Sequence, residues 1–270
     1  MEFLTIFLSS LLAVVSPVGL IIDSVAEDAI GSRLEQVEQL AVRIDNAPSY
    51  QLLQGKVERV RIAGRGLLLK PDIRIELLEL ETDPINLKLS SLRKSTGNSP
   101  QTLLEQPFQA GLRLVLTESD LNQALLSPIV TAQLQQLGRR FLGGSQRNYQ
   151  FFNPRIEFLG ENRLSFQLEV QEGNAPPLAV SIESGIGLIS GHLLELIEPE
   201  IAVENDAFPP ELVSKLAGSL RDSLDICTLE SAGITVRLLE LNIGTSELEA
   251  IAFVRIDNSE AASAVSQQLR

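Results

Sequence analysis

The chain opens with an uncharged, mostly apolar run, residues 3–22, and continues with a body in which apolar and polar positions alternate. Twenty residues in a helix measure about 30 Å, which is enough to cross the hydrocarbon core of a bilayer. This length favours an uncleaved membrane anchor. Pro17 and Gly19, which can kink a helix, weaken this prediction. Two alternatives stay open: cleavage of a signal peptide at the small residues 24–26, and an N-terminal helix packed in the core.

The pattern of the body predicts a few helices and many strands. Residues 23–40 place apolar side chains on one helical face, which predicts an amphipathic helix, and a period of two from Ala41 onward predicts strands. Each of these strands has one apolar face. The clearest alternating positions are Val60 and Ile62, then Ile85, Leu87 and Leu89, and later Leu164, Phe166 and Leu168.

Capping signals predict further helices. Residues 117–120 (TESD) combine a threonine with an acidic residue three positions on, which is typical of a helix start. Stretches 127–141 and 209–224 begin with Ser-Pro and Pro-Pro and predict two more helices. Long antiparallel strands with few helices to cover them predict an α+β fold, in which a highly curved antiparallel sheet wraps around long amphipathic helices. Such a fold leaves an apolar groove between sheet and helix.

Composition shifts suggest how the chain is organised. Residues 1–22 form the hydrophobic segment, residues 23–257 form the body, and residues 258–270 form a polar tail. The stretch 91–107 is rich in Ser, Gly, Asn and Pro, and it is a candidate boundary within the body.

Charge and residue usage exclude several classes of function. The net charge of −13 argues against nucleic-acid binding, which needs clustered Lys and Arg. Cys227 and His192 are the only residues of their types, so the sequence predicts no disulfide within the chain, no multi-histidine metal site and no cofactor. Ser145 lacks the surroundings of a nucleophile elbow, and Gly64-Arg65-Gly66 lacks the third glycine of a dinucleotide site. The sequence therefore predicts a protein without enzymatic activity.

One basic and aromatic cluster brackets the end of the predicted helix 127–141. We interpret Arg139, Arg140, Arg147 and Tyr149 as candidates for contact with lipid headgroups at a membrane interface. The alternative is a helix C-terminus neutralised by arginine and followed by core aromatics.

Three segments carry a resemblance to a known family: residues 40–69 (LAVRIDNAPSYQLLQGKVERVRIAGRGLLL), 116–128 (LTESDLNQALLSP) and 152–170 (FNPRIEFLGENRLSFQLEV). They resemble the bacterial LmeA-like phospholipid-binding family, long known as a domain of unknown function, and its cyanobacterial members most of all, over about residues 23–257. The resemblance implies an envelope protein with a fold similar to tubular lipid-binding domains, in which lipid occupies an apolar groove. It implies no catalytic residues.

We therefore expect a membrane-associated protein that binds phospholipid or another acyl lipid, for lipid transfer or maintenance of the envelope, with its body on the periplasmic or lumenal side of the plasma or thylakoid membrane. Alternatives are a membrane-tethered scaffold for a protein partner, with a filled core, and, less favoured, a lipid-modifying enzyme. For each candidate groove residue the alternative is a place in a filled core. The candidates are Val60, Ile62, Ile85, Leu87, Leu89, Leu121, Leu125, Ile129, Leu164, Phe166 and Leu168.

Overall fold

A computed structural model describes residues 30–32, 34–46, 51, 54–88, 100–141, 149–204, 206–207, 209, 213, 217–218 and 224–258, apart from the side chains of residues 100, 129 and 137–141. The apolar run 3–22 and the tail from residue 259 onward lie outside the described residues, as do most of the candidate boundary 91–107 and most of the predicted helix 209–224.

Antiparallel sheets dominate the described part of the chain. Its strands are β1 Gln36–Asp45, β2 Lys56–Val57, β3 Arg59–Lys70, β4 Ile73–Thr82, β5 Ile85–Asn86, β6 Phe108–Thr117, β7 Tyr149–Gly160, β8 Arg163–Glu172, β9 Leu178–Ile189, β10 Leu193–Val203, β11 Asp206–Ala207, β12 Ile234–Ile243 and β13 Glu247–Ile256. A six-stranded sheet has the order β1-β3-β4-β6-β13-β12, a five-stranded sheet the order β11-β10-β9-β8-β7, and β2 pairs with β5.

The described helices are short. They are α1 Pro100–Leu103, α2 Glu118–Leu125, α3 Pro128–Phe141 and a 3₁₀ helix, Ile226–Ala232. The start of α2 and the extent of α3 confirm the predictions from capping signals. The antiparallel α+β class is also confirmed, but the prediction of long amphipathic helices is wrong for the described residues, whose longest helix has 14 residues.

The first predicted helix is also wrong at its C-terminal end. Residues 36–40 belong to strand β1, which pairs with β3 from Gln36 opposite Leu68 to Asp45 opposite Arg59. A short segment can satisfy a helical and an extended pattern at once, and pairing along a neighbouring strand then decides its conformation.

The packed core lies on one face of the six-stranded sheet. Its register places Val42 opposite Ile62, Ile62 opposite Leu80 and Leu80 opposite Leu112, so one aliphatic row crosses four strands. Burying each such side chain contributes about 1.5–3 kcal/mol. The largest core cluster contains Ile30, Val42, Val57, Val60, Ile62, Leu80, Ile85, Leu87, Leu104, Phe108, Ala110, Val254 and Ile256.

The two glycines of the Gly64-Arg65-Gly66 segment provide room within this sheet. A Cβ atom on Gly64 would lie 2.7 Å from the side chain of Leu67, and one on Gly66 would lie 2.2 Å from that of Glu38. Gly66 also has a φ of +60°, which L side chains rarely adopt. The segment is thus part of strand β3, and both glycines have close neighbours.

Among the described contacts between the large sheets, two junctions involve strand β7 or the turn that follows it. The first is α2, which contacts β4 of the six-stranded sheet and β7 of the five-stranded sheet. The second is the turn between β7 and β8, where the amide of Asn162 donates to the carbonyl oxygen of Ile243 at 3.1 Å. The Oδ1 atom of Asn162 accepts from the amide of Ile243 at 2.7 Å. Asn162 has a φ of +58°, a conformation that asparagine tolerates better than most residues.

Candidate functional site

One face of the five-stranded sheet is mostly apolar. Its register places Ile156 opposite Phe166, Phe166 opposite Ile182 and Ile182 opposite Ile201, which forms one row across four strands. Residues directly opposite each other in antiparallel strands project from the same face. Further apolar positions of this face are Phe158, Leu164, Leu168, Val170, Leu178, Val180 and Val203.

The packing of this face differs from that of the six-stranded sheet. Phe166, Ile182 and Ile201 are only half-buried, and Leu178 is 47% exposed, whereas Val60 in the six-stranded sheet is 0% exposed. Within the described residues, neither hydrophobic core cluster includes a side chain from residues 149–207. The five-stranded sheet therefore presents apolar area that its neighbours do not fully cover, and such area suits an apolar ligand.

Helix α2 lies against the outer edge of this sheet, along strand β7. The side-chain amide of Asn122 donates to the carbonyl oxygen of Ile156 at 2.8 Å and its Oδ1 accepts from the Ile156 amide at 2.7 Å. One turn earlier, the carboxylate of Glu118 accepts from the amide of Phe158 at 2.8 Å. These bonds satisfy backbone groups that an edge strand would otherwise leave open.

The N-terminus of α2 connects to the other sheet. Thr117 and Asp120 form a capping box: the Thr117 hydroxyl accepts from the Asp120 amide at 3.1 Å, and the Asp120 carboxylate accepts from the Thr117 amide at 3.2 Å. The same carboxylate, 6% exposed, pairs with Arg74 of β4 at 3.1 Å. The hydrogen bonds that Arg74 donates to Glu38, and then to Glu76 and Asp120, outweigh burial and raise the pKa of Arg74.

These contacts explain four of the five polar residues of the LTESDLN segment. Thr117 and Asp120 cap the helix, Asp120 also binds Arg74, and Glu118 and Asn122 bind β7. The capping role follows from spacing alone. The roles of Glu118 and Asn122 cannot be predicted from a local pattern, because their partners lie in a strand more than 30 residues away.

Helix α3 continues along the same edge. The side-chain amide of Gln135 donates to the carbonyl oxygen of Phe151 in β7 at 3.2 Å. Together the two helices border the apolar sheet, and Leu121 and Leu125 of α2 are half-buried there.

The structure divides the predicted groove residues into two groups. Val60, Ile62, Ile85 and Leu87 lie in the core cluster of the six-stranded sheet, which matches the filled-core alternative for these positions. Leu164, Phe166 and Leu168 share the half-buried face of the five-stranded sheet, with Leu121 and Leu125 on the bordering helix. Leu89 and the side chain of Ile129 lie outside the described residues.

The predicted headgroup residues are described only in part. Tyr149 is half-buried at the first position of β7. Arg139 and Arg140 belong to α3, but the structure describes neither of their side chains and no part of Arg147. Their role in headgroup contact stays a prediction.

A concavity of about 560 Å³ lies beside the six-stranded sheet. Its lining includes a row in which Ala41 faces Ala63 and Glu79 faces Arg113. Arg113 binds Glu249 at 2.5 Å and Glu79 at 3.1 Å, and the two carboxylates raise its pKa. Within this row Glu79 and Arg113 neutralise each other beside two small apolar side chains, Ala41 and Ala63.

Comparisons with known proteins agree with the lipid interpretation. A family model described as LmeA-like phospholipid-binding matches residues 14–253, whereas comparisons with curated proteins and with solved structures find no match. In the described part of the chain, no helix is long and apolar enough to span a membrane. The family match covers most of the sequence and confirms the resemblance seen in the three segments. The chain belongs to the LmeA-like phospholipid-binding family.

Proposed function

We propose that this protein binds the acyl chains of phospholipid, or of another acyl lipid, on the apolar face of its five-stranded sheet, and that it does so without catalysis. The observation that carries the proposal is the difference between the two sheets. In the row across the six-stranded sheet, Val42, Ile62 and Leu80 are buried in the core cluster, whereas the central row of the five-stranded sheet is half-buried at all four positions.

The energetics of lipid extraction favour such a face. A chain of 16 carbons that leaves a bilayer for water loses about 0.8 kcal/mol per CH₂, or about 12 kcal/mol in total. A binding protein must offset most of this cost by apolar contact. The row through Phe166 crosses four strands and the row through Leu168 crosses three, so aliphatic and aromatic side chains lie side by side, which is the kind of surface that an extended chain can cover.

The bordering helices suggest how the ligand is oriented. Because α2 and α3 lie along strand β7, they would flank an acyl chain on the sheet. Arg139, Arg140, Arg147 and Tyr149 then belong to the segment from the end of α3 to the start of β7. In this proposal they contact the headgroup, because arginine pairs with phosphate and tyrosine prefers the membrane interface.

The apolar run 3–22 would tether this domain to the bilayer that it serves. The proposed arrangement has residues 23–257 as one lipid-binding domain on the periplasmic or lumenal side of the plasma or thylakoid membrane, acting in lipid transfer or envelope maintenance. Membership of a phospholipid-binding family supports the choice of ligand. The length of the run supports the tether.

The test compares two faces of one strand. The full chain is purified in mild detergent, lipids that remain bound are extracted and identified by mass spectrometry, and transfer of fluorescent phospholipid between vesicles is measured. Phe166→Glu places a charge on the apolar face, and Gln167→Glu places the same charge on the opposite face. We expect at least a tenfold loss of bound lipid and of transfer for Phe166→Glu, and little change for Gln167→Glu.

The same experiment separates lipid binding from a scaffold role. Exposed large apolar side chains, such as Leu126 at 65% and Leu239 at 68%, are features that a protein-binding surface would also show. If the folded wild-type protein retains no lipid and transfers none, the lipid proposal is wrong and the scaffold becomes the leading interpretation.

A further inference from the structure

The fold brings the only histidine and the only cysteine of the chain together beside an aspartate. His192 lies in the turn before β10, and Cys227 lies at the start of the 3₁₀ helix that Asp225 caps. The Nδ1 atom of His192 is 3.0 Å from Oδ1 of Asp225, and one potential ligand atom from each of the three residues lies within 4.8 Å of the other two.

Backbone contacts hold these residues in place. The amide of Ile226 donates to the carbonyl oxygen of His192 at 2.9 Å, and Leu193 forms an isolated antiparallel bridge with Asp225. The Cys227 amide donates to Oδ1 of Asp225 at 2.8 Å. The cluster is therefore built from two paired backbone segments, and its geometry does not depend on long, mobile side chains.

We propose that His192, Asp225 and Cys227 form a binding site for a divalent transition-metal ion of the zinc type. Imidazole nitrogen, carboxylate oxygen and thiolate sulfur are the three ligand types that zinc takes in proteins, at distances of about 2.0–2.3 Å. A tetrahedral arrangement at those distances separates its ligand atoms by about 3.3–3.7 Å. In the structure the three potential ligand atoms lie within 4.8 Å of one another, and water would supply the fourth ligand.

The chemistry of the site selects among metals. A thiolate and an imidazole favour zinc, cobalt or copper over magnesium and calcium, which prefer oxygen ligands. On binding, the thiol of Cys227 gives its proton to solvent and the sulfur bonds to the metal. The neighbouring carboxylate of Glu230 is engaged by Arg237 at 2.5 Å, so three residues form the proposed ligand set.

Metal binding here would fasten the 3₁₀ helix to the five-stranded sheet. The turn that contains His192 also contacts β12, because the amide of Leu238 donates to the carbonyl oxygen of Gly191 at 2.7 Å. A bound ion would thus stabilise a third connection between the two large sheets. This inference stands independently of lipid binding.

The test uses cobalt as a spectroscopic probe. The full chain in mild detergent is freed of metal with a chelator and titrated with Co²⁺, whose bond to a thiolate gives an intense sulfur-to-metal charge-transfer band. We expect this band in the wild-type protein, displacement of Co²⁺ by Zn²⁺ with loss of the band, and no displacement by Mg²⁺. Zinc should also raise the thermal unfolding temperature.

Variants show whether the band comes from this cluster. Cys227→Ser should abolish it, and His192→Gln, which keeps the thiol, should weaken Co²⁺ binding at least tenfold. Asp206→Asn, which removes an exposed carboxylate in strand β11, should leave Co²⁺ binding unchanged. The proposal would be overturned if the wild-type protein gave no band, or if His192→Gln bound Co²⁺ as tightly as the wild-type protein does. Both measurements can be interpreted even if Cys227→Ser does not fold.

Discussion

The side chain of Asn122 bonds to both backbone polar groups of Ile156, donating to the carbonyl oxygen at 2.8 Å and accepting from the amide at 2.7 Å. A neighbouring antiparallel strand makes the same pair of bonds to one residue. Asn122 thus allows a helix to border the five-stranded sheet at the position where a sixth strand would lie, and α2 thereby closes one edge of the candidate lipid-binding face.

Replacing Asn122 tests this contact. Asn122→Leu leaves the amide and the carbonyl group of Ile156 without their partner, and we expect the free energy of unfolding to fall by about 2–3 kcal/mol. Asn122→Asp keeps an acceptor for the amide and should cost less. Denaturant unfolding measures both, with Gln133→Leu on an exposed position of α3 as the control. If Asn122→Leu unfolds at the wild-type midpoint, the contact contributes nothing to stability.

Arg74 and Asp120 provide a second test, because this ion pair connects the six-stranded sheet to α2. Asp120 is 6% exposed, so removing its cationic partner leaves a carboxylate in poor contact with water. Because Arg74 itself is 26% exposed, we expect Arg74→Leu to cost about 2 kcal/mol, less than the loss of a fully buried pair.

Two comparisons make the Arg74 result interpretable. Arg43, whose side chain is 68% exposed, should tolerate replacement by leucine with little loss of stability. Adding Asp120→Asn to Arg74→Leu should recover part of the loss, because the buried charge is then removed. Equal unfolding curves for Arg74→Leu and Arg43→Leu would contradict the role of the pair.

The two apolar faces should respond differently to truncation. Ile85 of β5 is 1% exposed in the core cluster that packs against the six-stranded sheet, so Ile85→Ala should lower the free energy of unfolding by about 2–5 kcal/mol and leave the lipid bound per folded molecule unchanged. Leu168 is half-buried on the other face. Leu168→Ala should cost less stability and reduce the bound lipid, as measured by extraction and by thermal unfolding. If Ile85→Ala lost its lipid and Leu168→Ala did not, the lipid would bind at the six-stranded sheet instead.

Asp45 should make the stability of the protein depend on acidic pH. Its hydrogen bond from Arg61, and then that from Arg43, hold the pKa of Asp45 below its ordinary value. A carboxyl group with a lowered pKa in the folded state contributes stability above its unfolded pKa, about 3.9, and this contribution is lost as the pH falls through the folded value.

The measurement is the difference in thermal unfolding temperature between the wild-type protein and Asp45→Asn. We expect a constant difference from about pH 7 to pH 5 that closes as the pH falls below about 4. High salt should reduce the difference at neutral pH, because both arginines are solvent-exposed partners. A difference that is unchanged at pH 2 would show that Asp45 acts through something other than its charge.

Much of the local structure can be predicted from the sequence. The alternation around Val60 and Phe166 predicts which side of each strand is apolar, because successive side chains point to opposite faces. Thr117 and Asp120 predict the start of α2 because a capping box involves only one turn of chain. The three family segments predict membership of a phospholipid-binding family, which the match over residues 14–253 confirms.

The tertiary structure decided what packs against each apolar face. Val60 and Phe166 stand in equivalent alternating patterns, yet the first lies in a filled core and the second on a half-buried surface, because burial depends on whether another layer of the fold covers the strand. Pairing with β3 made residues 36–40 a strand. The tertiary structure also brings His192 and Cys227 together. Contacts between distant segments cannot be predicted from local residue spacing.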